Sequence, residues 1–281
     1  MELPIQAWEK SVLVVAHPDD EILWFSSILD KVSTIVICFT DAEHHPELGE
    51  ARRLSLAEHA YKDKIVSLEL RQVKSHNMSR WPNPEESSYG LRLSRRPEFD
   101  APYKAQASRA ATALAPHIQG ADNVFTHNPW GEYGHEDHVQ INRVVTQLAR
   151  DCGAAIWYDS YVSNKSSLLM RSFIKDFGKP YYTMPVDADR ARQIADTYHR
   201  NGAWTWMDDY VWFSSESFVQ GPLVSHAQAC AGTLFPVNYL RVPFDPETAN
   251  APPPGFYKKL RRRLRRLLGK QRPYSLDVAT G

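Results

Sequence analysis

Two short stretches hold most of the groups able to do chemistry: Ala16-His17-Pro18-Asp19-Asp20-Glu21 and Gly134-His135-Glu136-Asp137-His138. Each gathers imidazoles and carboxylates where an apolar run gives way to a helix-like one. Three such groups can hold one divalent metal and leave a fourth position for water, with the remaining residues free for proton transfer. The residues read as those of a metal-dependent hydrolase.

In the first stretch His17 and Asp20 are three apart across a strand-to-helix turn in which Pro18 limits the backbone. That turn aims both side chains at one point above a sheet, and imidazole with carboxylate suits zinc. Asp19 then stays off the metal as the candidate general base, at a helix start where the dipole favours its charge. Glu21 reads as a first-turn charge or an outer partner of His17. Taken alone, either aspartate is equally the cap of a helix.

In the second stretch the glycine-bearing loop Asn128–Gly134 delivers His135 and His138, three apart, to a first helical turn. There they can face one cavity. One completes the metal triad; the other stabilises oxyanion charge or protonates a leaving amine. Asp137 is expected to orient the free histidine and favour its charged form. The bland alternative is a polar helix face, and each cluster makes the other more meaningful.

The elements that must position these groups alternate. Val12–Ala16 is a continuous β-branched run, as in a central parallel strand buried on both faces. Ile22–Val32 reads as helix, Thr34–Phe39 as strand, Arg52–Tyr61 as helix and Ile65–Leu70 as strand. His76–Pro102 is a long Pro- and Gly-bearing loop. Tyr103–Ile118 reads as helix, Val124–Thr126 as strand, Asp137–Arg150 as helix, Ala154–Tyr158 as strand and Asp187–Arg200 as helix. This order implies an α/β domain, doubly wound, with a mostly parallel sheet flanked by helices. Ligands bind such sheets at the carboxyl ends of strands, near the reversal of strand order. No GxGxxG follows the first strand, so a dinucleotide site has little support.

The chain has 281 residues, 43% apolar and 23% charged, an ordinary globular composition. Its zero net charge conceals an asymmetry. Lys258–Arg272 carries nine basic residues and no acidic one, and setting those aside leaves 24 Lys and Arg against 33 Asp and Glu. A domain over 1–245 is expected, followed by a Pro-rich linker and basic amphipathic tail over 246–281. Cys38, Cys152 and Cys230 suit neither a disulfide framework nor a CxxC metal site and are expected to be buried. Without a signal-like N-terminus or a bilayer-length apolar run, the expected address is cytoplasmic.

At these motifs the chain resembles the PIG-L/LmbE-like de-N-acetylase family, which includes deacetylases of N-acetylglucosaminyl-phosphatidylinositol and of mycothiol and bacillithiol synthesis. AHPDDE stands at Ala16–Glu21, the His-x-Asp-His run stands at His135–His138, and Tyr133-Gly134 resembles the lead-in of the mycothiol-pathway enzyme. The resemblance implies a Rossmann-like fold over residues 10 to about 220. It also implies zinc (or another divalent metal) held by His17, Asp20 and His138, with Asp19 as general base. His135 would stabilise the tetrahedral intermediate, Tyr133 would polarise the carbonyl, and Asp137 would hold the free histidine. Thr40-Asp41-Ala42-Glu43-His44-His45 departs from the usual loop after strand two, and Arg52-Arg53 is followed by Leu54-Ser55 without the usual glutamate spacing. Both departures lie where relatives contact substrate. His44 and His45 read as a solvated loop.

The implied reaction is removal of an N-acetyl group from an amino sugar in a glycan, glycolipid or natural-product intermediate. Among eight tryptophans, Trp24, Trp130, Trp204 and Trp206 offer flat faces for sugar rings, Trp130 being favoured, with Asn128 beside it. Arg80, Arg92, Arg95 and Arg96 could meet an anionic group. Leu260, Leu264, Leu267 and Leu268 give the 255–272 segment an amphipathic, cationic character suited to peripheral membrane contact and a lipid-linked sugar. No nucleic-acid partner is expected from the acidic body. The competing functions are a zinc amidase acting on a non-sugar acylated amine, and a non-catalytic membrane-associated binding module.

Overall fold

The computed structural model describes residues 8–42, 45–176, 178–226 and 235–245. Seven strands form the central sheet: β1 (Ser11–Val15), β2 (Thr34–Ile37), β3 (Ile65–Ser67), β4 (Asn123–Thr126), β5 (Ala155–Asp159), β6 (Tyr181–Pro185) and β7 (Ser215–Gln220). Their spatial order is β6-β7-β5-β4-β1-β2-β3. β1 to β5 run parallel, and β7 and β6 add an antiparallel edge beside β5. Besides a single turn at Ser167–Met170, the α-helices are α1 (Asp20–Trp24), α2 (Pro46–Glu58), α3 (Asp100–Ile118), α4 (Glu136–Cys152) and α5 (Ala188–Asn201).

The chain builds outward from β1 through β2 to β3, then returns to the far side of β1 for β4 and β5. Strand order therefore reverses between β1 and β4, which pair Val12 with Val124 and Val14 with Thr126. The two motif loops leave the carboxyl ends of these adjacent strands. That places two segments more than a hundred residues apart in sequence on one crevice.

Alternation along β1 sends Val12, Val14 and Ala16 toward Ala110, Leu114 and Val145 of α3 and α4. Leu13 and Val15 pack on the opposite face with Ile22, Leu29, Ile194 and Tyr198. Burial on both faces explains the unbroken apolar run, and the doubly wound α/β expectation is met.

Three local expectations need correction. Ile22–Val32 is not one helix: α1 stops at Trp24 and a 3-10 turn covers Ser26–Ile28. The Ser27 amide donates to Glu216 Oε2 (2.9 Å) rather than to a preceding carbonyl, so the helical ladder is interrupted. The third strand ends at Ser67, ahead of Glu69 with its positive φ of 50°. Cys152 is exposed, whereas Cys38 is buried as expected. The edge strand β6 and its neighbour β7 went unread: β6 is largely exposed, and β7 sets Phe218 and Val219 among serines, Glu216 and Gln220. His44, Cys230, Pro252–Gly255 and the basic segment lie outside the described residues. Among the described residues no helix is long and apolar enough to cross a membrane.

Candidate metal centre

The loop after β1 is held by its own carboxylates. Asp20 Oδ2 accepts the His17 amide (2.7 Å) and meets His17 Nδ1 (3.2 Å), while Trp24 Nε1 donates to Asp20 Oδ1 (3.1 Å). Asp19 sits at φ 95°, a left-handed conformation that costs a non-glycine residue energy. Its amide donates to Glu21 Oε2 (3.0 Å), and Glu21 Oε1 accepts from Tyr198 OH of α5 (2.7 Å). Glu21 thus braces Asp19 and α5 rather than His17. The Asp19 carboxylate caps nothing. Its Oδ2 accepts both the amide (3.1 Å) and the hydroxyl (2.6 Å) of Thr205.

The loop after β4 is fixed by buried polar contacts. Gly131 has φ +67°, and a Cβ there would lie 2.6 Å from the His135 carbonyl oxygen, so only glycine fits the turn. The Asn128 amide group donates to Asp159 Oδ1 (2.8 Å) and the Tyr161 carbonyl (2.9 Å), while its Oδ1 accepts the Trp130 and Glu132 amides. Trp130 is fully buried, donates to the Tyr161 carbonyl (2.7 Å) and packs on Phe173. The Lys165 ammonium donates to the Gly134 carbonyl (2.7 Å).

The residues expected to meet substrate have these partners within the fold. Asn128 and Trp130 are loop anchors spent on internal bonds, and Trp24 is likewise fully buried. Arg92 pairs with Asp100, Arg95 donates to the Asn77 carbonyl and Arg96 meets Glu98, so these cations serve their own loop. Arg80 is exposed, as is His45, which faces Glu47.

Glu132 bridges the Nδ1 atoms of His127 (3.2 Å) and His138. A carboxylate behind an imidazole fixes its tautomer and turns Nε2 forward, the usual support of a ligating histidine. His138 Nε2 lies 3.2 Å from Asp20 Oδ1, yet it is buried without a hydrogen bond.

Among the described residues, four groups of ionisable side chains lie close enough to share an ion. His127 is an unfavourable ligand because its Nε2 accepts the Ala16 amide (2.9 Å). Glu136 is committed to the Asn77 and Ser79 amides and the Trp81 indole. Asp137 accepts from Gln72 (3.0 Å), Ser75 (2.8 Å) and Gln106 (3.0 Å) and meets His17 Nε2 (3.2 Å). The group His17, Asp20 and His138 contains the buried nitrogen that lacks a hydrogen bond, and its N, O, N donor set suits zinc.

The charges point the same way. Burial opposes ionisation of Asp20, but His138 and His17 hold it well below the usual carboxylate range. Burial also opposes a charged His138, but Asp20 and Glu132 push it up to about 10. The pocket therefore calls for a cation at its centre. Asp19 goes the other way: burial and the adjacent Asp20 charge raise it to about 7, against the lowering effect of Thr205 and Arg52.

His135 differs from its expected role in two respects. Its Nδ1 accepts the Asp137 amide (3.1 Å) and so caps α4, while the Asp137 carboxylate turns to His17 instead. Burial and the imidazoles of His138, His76 and His17 push His135 well below its usual range, so it is neutral and donates from Nε2. Half-buried Tyr133 places its ring 5.4 Å from His138, 5.7 Å from His135 and 4.6 Å from Trp206. Sequence reasoning missed His127 and Glu132, although both lie in or beside the second loop. It also missed His76, which stacks on His135 at 4.7 Å. Thr205 carries no local signal at all.

Residues 12–149 match the family model described as PIG-L, GlcNAc-PI de-N-acetylase. A relative from Catenulispora acidiphila, 1D-myo-inositol 2-acetamido-2-deoxy-alpha-D-glucopyranoside deacetylase 2, is 30% identical over 161 residues, covering 51% of this chain and 52% of its own length. The chain thus spans about half the length of that curated relative. Among solved structures, a deacetylase of teicoplanin biosynthesis is 12% identical with a TM-score of 0.47, covering 78% of this chain and 100% of that one. An A40926 pseudoaglycone deacetylase is 13% identical with a TM-score of 0.43, covering 79% and 99%. The match to the PIG-L family model over residues 12–149 contains both motif loops, at the reversal of the strand order.

Proposed function

We propose that the chain is a divalent-metal hydrolase, zinc being the first choice, that removes the N-acetyl group from an N-acetylated amino sugar. One observation carries the proposal. A buried His138 Nε2 faces Asp20 at ion-pair distance without a hydrogen bond, while the neighbouring Asp19 is turned to a separate partner and left for proton transfer. The family description and the names of the relative and the structural neighbours, all deacetylases, agree with that chemistry.

His17, Asp20 and His138 would hold the metal, which when bound supplies a polarised water and a Lewis acid for the amide carbonyl. The chain's own groups do the rest. Asp19, raised to about 7, accepts a proton from the attacking water near neutral pH. The same proton then passes to the departing amine, freeing acetate. His135 Nε2–H and the Tyr133 hydroxyl are the donors for the developing oxyanion. Tyr133 and half-buried Trp206 form the aromatic wall for a sugar face, and the buried Trp206 indole N–H is without a partner for a substrate oxygen to meet. A cytoplasmic location and membrane contact through 255–272 form no part of this proposal.

Acetate release from a panel of N-acetylated amino sugars, with and without a chelator, tests it. Release that the chelator abolishes and added zinc restores is expected. Chelator-insensitive release, or none from any sugar, would overturn it.

A further inference from the structure

The turn after α5 grips Asp19 from both ends. Tyr198, in the last turns of α5, binds Glu21, which in turn accepts the Asp19 amide. The helix then ends at Gly202, φ +73°, and the Ala203 amide returns to the Tyr198 carbonyl (2.8 Å). Ala203 is fully buried and pins the turn to the core. Two residues on, Thr205 directs its amide and its hydroxyl at the same oxygen, Asp19 Oδ2. Asp19 and Thr205 are 186 positions apart, and Thr205 lies beyond the 12–149 match.

From this geometry we propose that Thr205 is the positioning residue for Asp19, fixing the plane of its carboxylate so that Oδ1 is presented for proton transfer. Among the described residues, both hydrogen bonds to that carboxylate fall on Oδ2. Two donors from one residue on one oxygen fix the direction of Oδ2 and leave Oδ1 as the oxygen without a donor among the described residues. Thr205 is itself exposed, so its hydroxyl fills no core space and Thr205→Val preserves shape while deleting one donor. The inference rests on the hydrolytic reading above.

The test compares wild type, Thr205→Val and Thr205→Ser for acetate-release kinetics, metal content by elemental analysis and thermal melting. Thr205→Val is expected to lower kcat about 10- to 100-fold with KM within about twofold. Its metal content and Tm should match wild type, and Thr205→Ser should recover most of the rate. Unchanged kcat, an effect confined to KM, lost metal, a lowered Tm with normal kcat, or no rescue by serine would each overturn it. A wild type that releases no acetate from any sugar overturns the hydrolytic reading and this inference together; an active wild type matched by Thr205→Val overturns this inference alone.

Discussion

Two buried carboxylate clusters sit on the same sheet and have opposite characters. Glu216 of β7 accepts from Ser26 Oγ (2.7 Å) and Tyr161 OH (3.1 Å) on one oxygen, and from the Ser27 amide (2.9 Å) and hydroxyl (2.6 Å) on the other. Every donor is neutral and every lone-pair direction is used. The centre between β1 and β4 is instead crowded with charge, contains a buried nitrogen without a hydrogen bond, and splits two adjacent aspartates to opposite sides of their usual range. Both arrangements cost desolvation. The first offsets that cost internally and becomes a staple; the second retains unmet bonding capacity for something from outside. Saturation of the hydrogen bonds and neutrality of the donors, rather than burial, separate the two.

The sharpest way to break this contrast is His138→Ala. Elemental analysis should show the metal gone and activity with it; full occupancy would remove His138 from the ligand set. Asp19→Ala should retain metal yet lose about 10²- to 10⁴-fold in kcat, the usual value of a positioned general base. Wild-type turnover in that variant would end its assignment. Glu132→Gln, which removes the carboxylate behind His138, should weaken metal affinity about 10- to 100-fold in a competition titration with a chelator.

A smaller effect concerns the metal-free protein. Because Asp19 is raised above its unfolded value, its favourable contribution is complete below pH about 4 and is lost by pH about 7. The Tm of metal-free Asp19→Asn should therefore gain on wild type from pH 4 to 7 and then level off. A constant difference would argue against the shift. Glu216→Ala is the control on the other cluster: stability should fall by about 1–3 kcal/mol from stranded donors, with metal content and rate per folded molecule unchanged.

The site's inner residues were readable because their chemistry is written in consecutive letters. A strand that must be buried on both faces, Val12–Ala16, ends where the ionisable residues begin, and that conjunction survives folding intact. The partners of the outer residues were not legible, for a different reason. Trp130 and Asn128 are types that often meet sugars, but here their polar atoms are consumed by the Tyr161 carbonyl and Asp159. Asp137 lies beside His135 in the chain, yet its side chain leaves the helix start toward His17 and Gln106. Ile22–Val32 has helical spacing, but Glu216, nearly two hundred residues away, takes the Ser27 amide that a continuous helix would need.

From the chain of letters alone came the alternation of parallel strands and helices, the two loops that end them, and the types of group available there. These follow from local patterning and need no partner to be recognised. Folding settled which nitrogen is free, which carboxylate is charged, and that Thr205 and Tyr198 serve Asp19 at all. Hydrogen-bond partnership and desolvation depend on neighbours that only the folded chain brings together, and strand order placed those neighbours at the crevice beside β1 and β4.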